Sequence, residues 1–249
     1  MIPQALILLM GAAVSIAAPA GSKLSLQNAT AQTASPNLPV LPGLQSPSAV
    51  TPAIALRYVT LGIGHQNYTC NGTSLISTGA TAALFDITDV VTAQPELIQF
   101  IPAVDLAWSG LATDNMANNK DKTCDTQDFS RSVPLARLTD DNRIGFHFFA
   151  ADKSPVFNLN LASPPAVLTS AKLGDVPAPL GATAGPGGAK AVDWLQLGDN
   201  GQGRSSGGVT YVYRVETAGG SPPATCSQQG SVVRQPYAAE YWFYGPSSA

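Results

Sequence analysis

An all-β, mostly antiparallel fold, either a β-sandwich or a β-barrel of about eight strands, is what this sequence predicts. Three observations carry it. Charged residues make up only 12% of the chain against 45% apolar, while Gly (23) and Pro (20) are abundant, a balance suited to short elements joined by tight turns. From Leu56 onward, short β-branched and aromatic runs alternate with Gly, Asn, Asp and Pro, the pattern of strands and turns. The helical crossovers that a parallel sheet needs are missing from the pattern, which leaves long Pro/Gly-rich loops and at most one or two short helices.

Taken in order, the run Arg57 to Cys70 places Val59, Leu61 and Ile63 on one face, whereas Tyr68 and Cys70 read as buried beyond Gly62 and Gly64. A β-bulge at the glycines would reconcile the two registers and turn Asn67, Thr69 and Asn71 outward. Ala83, Phe85 and Ile87 read as a second strand, and Pro95 to Ile101 as a short helix with proline in its first turn. Ser109 to Ser130 is loop-like. Ile144, Phe146 and Phe148 alternate with Gly145, His147 and Phe149, and Pro155 to Leu161 follows after a turn at Asp152 to Ser154, so the two runs form a hairpin. Ala162 to Lys190 reads as a long connection crossing the sheet, with only Val167 to Leu173 patterned as a strand. Ala191 to Leu197 is a strand. So is Val209 to Val215, with Val209, Tyr211, Tyr213 and Val215 on an apolar face and Thr210, Arg214 and Glu216 on a polar one. The last run, Ala238 to Tyr244, is aromatic on both faces, which suits a central position or a groove.

The N-terminus reads as an export signal. Ala5 to Ile16 are apolar and are followed by small residues that offer cleavage after Ala17 or Ala20, although no basic residue precedes the run. The run is shorter than the roughly 20 residues needed to span a bilayer, and no later stretch comes closer. The expected organisation is a signal peptide over 1–20, a low-complexity leader or linker over 21–55, and one β-rich domain over 56–249. Asn28, Asn67 and Asn71 each open an Asn-X-Thr acceptor sequon, and glycosylation is expected at Asn67 and Asn71 before Asn28. Three cysteines, Cys70, Cys124 and Cys226, allow one disulfide in an oxidising compartment, and spacing leaves all three pairings open.

Chemistry is thinly marked. With 13 basic and 16 acidic residues spread without runs, no basic surface is available for a phosphate backbone, so nucleic acid is not an expected partner. Two histidines, His65 and His147, cannot make a histidine-rich centre, and the cysteines lack CxxC or Cys/His spacing, so no metal is expected. No GxSxG elbow supplies a serine nucleophile. The catalytic candidates are Glu240, Asp193, His65 and His147. Trp194, Tyr241 and Trp242 are the candidate binding aromatics, because a carboxylate beside an aromatic face can hold a sugar ring, and glycoside hydrolysis needs two carboxyls across a cleft.

The segments YVTLGIGHQNYTC, AVDWLQLGDNGQG, VYRVETAGGSPPATC and YAAEYWFYG, in this order, resemble an uncharacterised family of secreted fungal proteins with bacterial relatives, defined by a domain of unknown function. The resemblance spans Leu56 to Gly245. It implies the disulfide Cys70–Cys226, whose counterparts recur in bacterial relatives, and implies no catalytic residue. Members are sometimes labelled malate dehydrogenase, but a nicotinamide dehydrogenase needs a strand followed by GxGxxG opening a helix, and Gly62-Ile-Gly64 lies inside a strand pattern. No nucleotide or other cofactor is therefore expected. The function expected is that of a secreted, non-catalytic protein binding cell-wall polysaccharide or a host-surface component. A secreted carboxylate-dependent hydrolase of glycans is the alternative.

Overall fold

Eight strands follow one another around a closed ring in chain order, each antiparallel to its neighbours, in a computed structural model that describes residues 36–50, 53–109, 138–226 and 228–247. The strands are β1 (Ile54–Asn71), β2 (Ser74–Asp86), β3 (Arg143–Phe149), β4 (Pro155–Leu159), β5 (Ala166–Val176), β6 (Trp194–Asp199), β7 (Tyr211–Gly219) and β8 (Val232–Pro246). Pairing of β1 with β8, from Ile54 opposite Pro246 to Thr69 opposite Val232, closes the ring. The structure thus selects a barrel. Closure leaves no free edge, and eight strands enclose a space that side chains can fill or that can hold one small ligand.

The period-two alternation sorts the side chains into two apolar layers. One layer gathers Leu84, Phe157, Leu159, Leu168, Leu197, Val212, Tyr237, Ala239, Tyr241 and Phe243 and fills the barrel. The other gathers Val59, Leu61, Ile63, Phe85, Trp194, Tyr213, Val215, Trp242 and Tyr244 on the outside of the wall. This outer layer is covered by α1 (Thr88–Ala93), the 3-10 turn Pro95–Phe100 and α2 (Ile101–Trp108), through Val91, Ile98, Ile101 and Leu106. Leu38 and Leu41, from the stretch read as a leader, pack on it as well. Asp86 starts the cover: its carboxylate accepts from the Thr88 amide at 2.9 Å as the chain leaves β2.

Two-sided burial explains where strand reading went astray. The register runs unbroken through Gly62 and Gly64 on both sides of β1, so there is no bulge there. The extra residue belongs to β2, where Asn67 faces Gly79 and Tyr68 faces Ser77. Val59 to Gly64 are all buried because both faces are covered; past the outer cover only Gln66, Tyr68 and Cys70, on the inner face, remain buried. Asn67, Thr69 and Asn71 do point outward. In β7 the same cause operates: Arg214, assigned to a polar solvent face, is only 9% exposed and points into the barrel. The expected long connection contains all of β5, and the expected helix at Pro95 is a 3-10 turn continued by α2.

Candidate functional site

One end of the barrel is open. Strands β1, β3, β5 and β7 end there and β2, β4, β6 and β8 begin there, so four connections form the rim. The β1–β2 hairpin is tied to the β7–β8 connection by the disulfide Cys70–Cys226, with Cα atoms 5.9 Å apart. Backbone bonds lace the two together, Gly230 to Cys70 at 2.8 Å and Cys70 to Ser231 at 2.9 Å. Between these rims lies a cavity of about 390 Å³, within the range of small-molecule sites. Every strand contributes a wall residue: Gln66, Ala80, His147, Phe157, Ser170, Leu197, Arg214 and Tyr241 in chain order.

Arg214 is the buried charged group on this wall. Its Nε and Nη2 donate to the carbonyl oxygen of Asp193 at 3.1 and 2.8 Å, which anchors the fork to the β5–β6 connection. Among the described residues no carboxylate lies within ion-pair distance of it. Of five guanidinium donors some remain uncommitted. Burial raises the Tyr241 phenol above its ordinary range, while the charge of Arg214 and hydrogen bonds from Tyr237 and Arg214 oppose the rise. The Tyr237 and Tyr241 hydroxyls are 2.9 Å apart.

His147 stacks on Phe157, with ring centroids 4.2 Å apart and planes 8° from parallel. Its Nδ1 lies 2.9 Å from the Val156 carbonyl oxygen; a carbonyl only accepts, so Nδ1 carries the proton and Nε2 keeps its lone pair. Burial pushes the imidazole down to about 4, against the bond to Val156, and the nearby Arg214 charge adds to the fall. At neutral pH the ring is uncharged. Gln66 is 6% exposed and its Nε2 has no hydrogen-bond partner among the described residues.

The sequence candidates scatter over this geometry. Tyr241 and His147 line the cavity. Glu240 does not: it lies on the outer face of β8, 0% exposed, accepting from Trp242 Nε1 at 2.9 Å, with its carboxyl raised well above the usual range by burial. Trp242 and Trp194 belong to the outer apolar layer. Asp193 is exposed and supplies its backbone carbonyl, while half-buried His65 sits on the outward face of β1. Asp152 is the one acid lining the cavity among the described residues, and it is paired with Arg204 at 2.5 Å. Glu240 and Asp193 are therefore not brought together across this cavity. Asn71 is exposed at the hairpin end and Asn67 is half-buried in mid-strand. Asn28, Cys124, the 1–20 segment and residues 110–130 of the stretch read as loop-like lie outside the described residues. Arg214 and Gln66 were the residues missed; a lone arginine in an otherwise apolar β-run was the available signal.

Gly62-Ile-Gly64 lies mid-strand in β1 and opens no helix. Among the described residues no group of His, Cys, Asp and Glu is placed to hold a metal, and no helix is long and apolar enough to cross a membrane. The chain belongs to the family described as Protein of unknown function (DUF3455), whose model matches residues 51–245. No curated protein and no solved structure matches it.

Proposed function

We propose that this member of the family is an exported, non-catalytic binding protein whose ligand enters the open mouth of the barrel. The observation that carries the reading is the cavity itself, walled by side chains from each of eight strands and holding a buried guanidinium with no acidic partner among the described residues. Export is supported by the apolar N-terminal run, the sequons at Asn67 and Asn71 and a disulfide of the kind found in oxidising compartments. A barrel mouth takes the end of a molecule, not the flank of a long polymer. Of the partners the sequence suggests, cell-wall polysaccharide and a host-surface component, the geometry thus favours a terminal group or a free small molecule.

Ligand-observed NMR on the full chain, with soluble cell-wall fragments and a small-molecule panel, tests this. At least one compound should bind, lose its signal change in Ala80→Leu, which fills the mouth, and return unaltered after prolonged incubation. Conversion of the bound compound to product would refute the non-catalytic reading, and binding insensitive to Ala80→Leu would refute the site.

A further inference from the structure

A buried cation is costly unless something compensates it. Arg214, 9% exposed, has a peptide carbonyl and a phenol for partners, neither of which carries the opposite charge. Gln66 stands on the same cavity wall with an amide nitrogen that bonds to nothing described. A side-chain amide turned about its terminal bond presents either a donor or an acceptor, so it can donate beside the guanidinium. Further out, the lining contains two more cations, Lys153 and Lys172, against one acid, Asp152. That acid is already engaged by Arg204. Among the described lining residues, basic groups thus outnumber acidic ones, and no second acid is placed to repel an incoming negative charge.

Much of the remaining wall is apolar. Phe149, Phe157, Leu195 and Leu197 line it, and the neutral His147 ring continues the Phe157 face. A fork-shaped donor matches a planar carboxylate in bidentate fashion. A phosphate dianion would need more than one cation in so apolar a setting, and both rim lysines are displaced from that role: Lys172 bonds Asp175 at 2.8 Å, and Lys153 is exposed in the β3–β4 turn.

We propose that the barrel mouth holds a small organic carboxylate with an apolar body, its carboxylate taken by Arg214 and Gln66 and its body by the Phe149, Phe157, Leu195 and Leu197 walls. This inference rests on the binding function given above and adds the chemical class of the ligand. Calorimetric titration of the full chain with 2-naphthoate, with its neutral isostere 2-naphthamide and with inorganic phosphate tests it. The acid should bind about tenfold more tightly than the amide, the effect of one charge-assisted hydrogen-bond pair, and phosphate should not displace it. Arg214→Gln should abolish the preference for the acid over the amide. The wild-type contrast stands even if that variant fails to fold. An amide binding as tightly as the acid, or phosphate displacing naphthoate at equal concentration, would overturn the carboxylate assignment. So would failure of all three probes while another compound occupies the mouth by NMR; failure of every compound in both experiments would overturn the binding function itself.

Discussion

A buried carboxyl and a buried imidazole meet the same low-dielectric interior with opposite consequences. Burial favours the neutral form of each, so Glu240 is raised and His147 lowered to about 4. Burial thus favours the protonated form of Glu240, whose carboxyl oxygen accepts from Trp242 Nε1. Glu240→Gln keeps that acceptor and removes the titrating proton. In urea unfolding its stability relative to the wild type should rise between pH 5 and pH 8, with ligand binding unchanged; a relative stability that falls over that range would mean a charged, partnered carboxylate. At this scale the sequence was least legible. Glu240 beside Tyr241 and Trp242 looked like a sugar site, yet neighbours in a strand point to opposite faces, and only Tyr241 reaches the cavity. Arg214 was read as solvent-facing because an alternating strand implies one wet face. That inference fails when helices cover the outer face and the barrel interior lies behind the other.

At the scale of elements, the legible strands were those whose runs are aromatic or β-branched: most of β1, the β3–β4 hairpin, β7 and β8. The first half of β2, Ser74 to Thr81, went unread because Gly, Ser, Thr and Ala give no apolar period, and of β5 only Val167 to Leu173 carried a strand pattern, inside a proline- and glycine-rich stretch read as a connection. These small residues have a packing role. A Cβ on Gly64 would run into the carbonyl oxygen of Thr81, and one on Gly145 into that of Asn158, so each glycine lets neighbouring strands approach closely. Gly64→Ala should destabilise the barrel by about 3 kcal/mol through overpacking, seen as a lower urea midpoint. An unchanged midpoint would show that β1 and β2 can separate freely at that point. Sandwich and barrel could not be told apart in sequence, because closure depends on β1 meeting β8 across nearly the whole chain, and no local pattern encodes that pairing.

For the molecule as a whole, the disulfide closes a loop with a sequence separation of 156. In the chain-entropy account such a loop contributes about 5 kcal/mol, against a more usual 2 to 4. Cys226→Ser should lower unfolding free energy by an amount in that range, and should also loosen the rim, weakening ligand binding. A second global property is the pH profile. His147, lowered to about 4 from 6.5, contributes stability that is present above pH 6.5 and lost as pH falls toward 4. Asp105, fully buried in α2 and raised by burial to about 7 from 3.8, works the other way: its contribution is present below pH 3.8 and lost as pH rises through 7. Glu240 and Glu216, both raised by burial, add to the acid side. The chain should therefore be more stable at pH 5 than at pH 8 by on the order of 2 kcal/mol, and Asp105→Asn should shrink that difference.

The most direct test of the central claim is a crystal structure of the full chain grown with saturating 2-naphthoate. Density for the naphthyl ring between Phe157 and Leu197, with its carboxylate on the guanidinium of Arg214, is the expected result. Naphthoate bound in solution but lying elsewhere on the surface, with the mouth occupied by water alone, would contradict it.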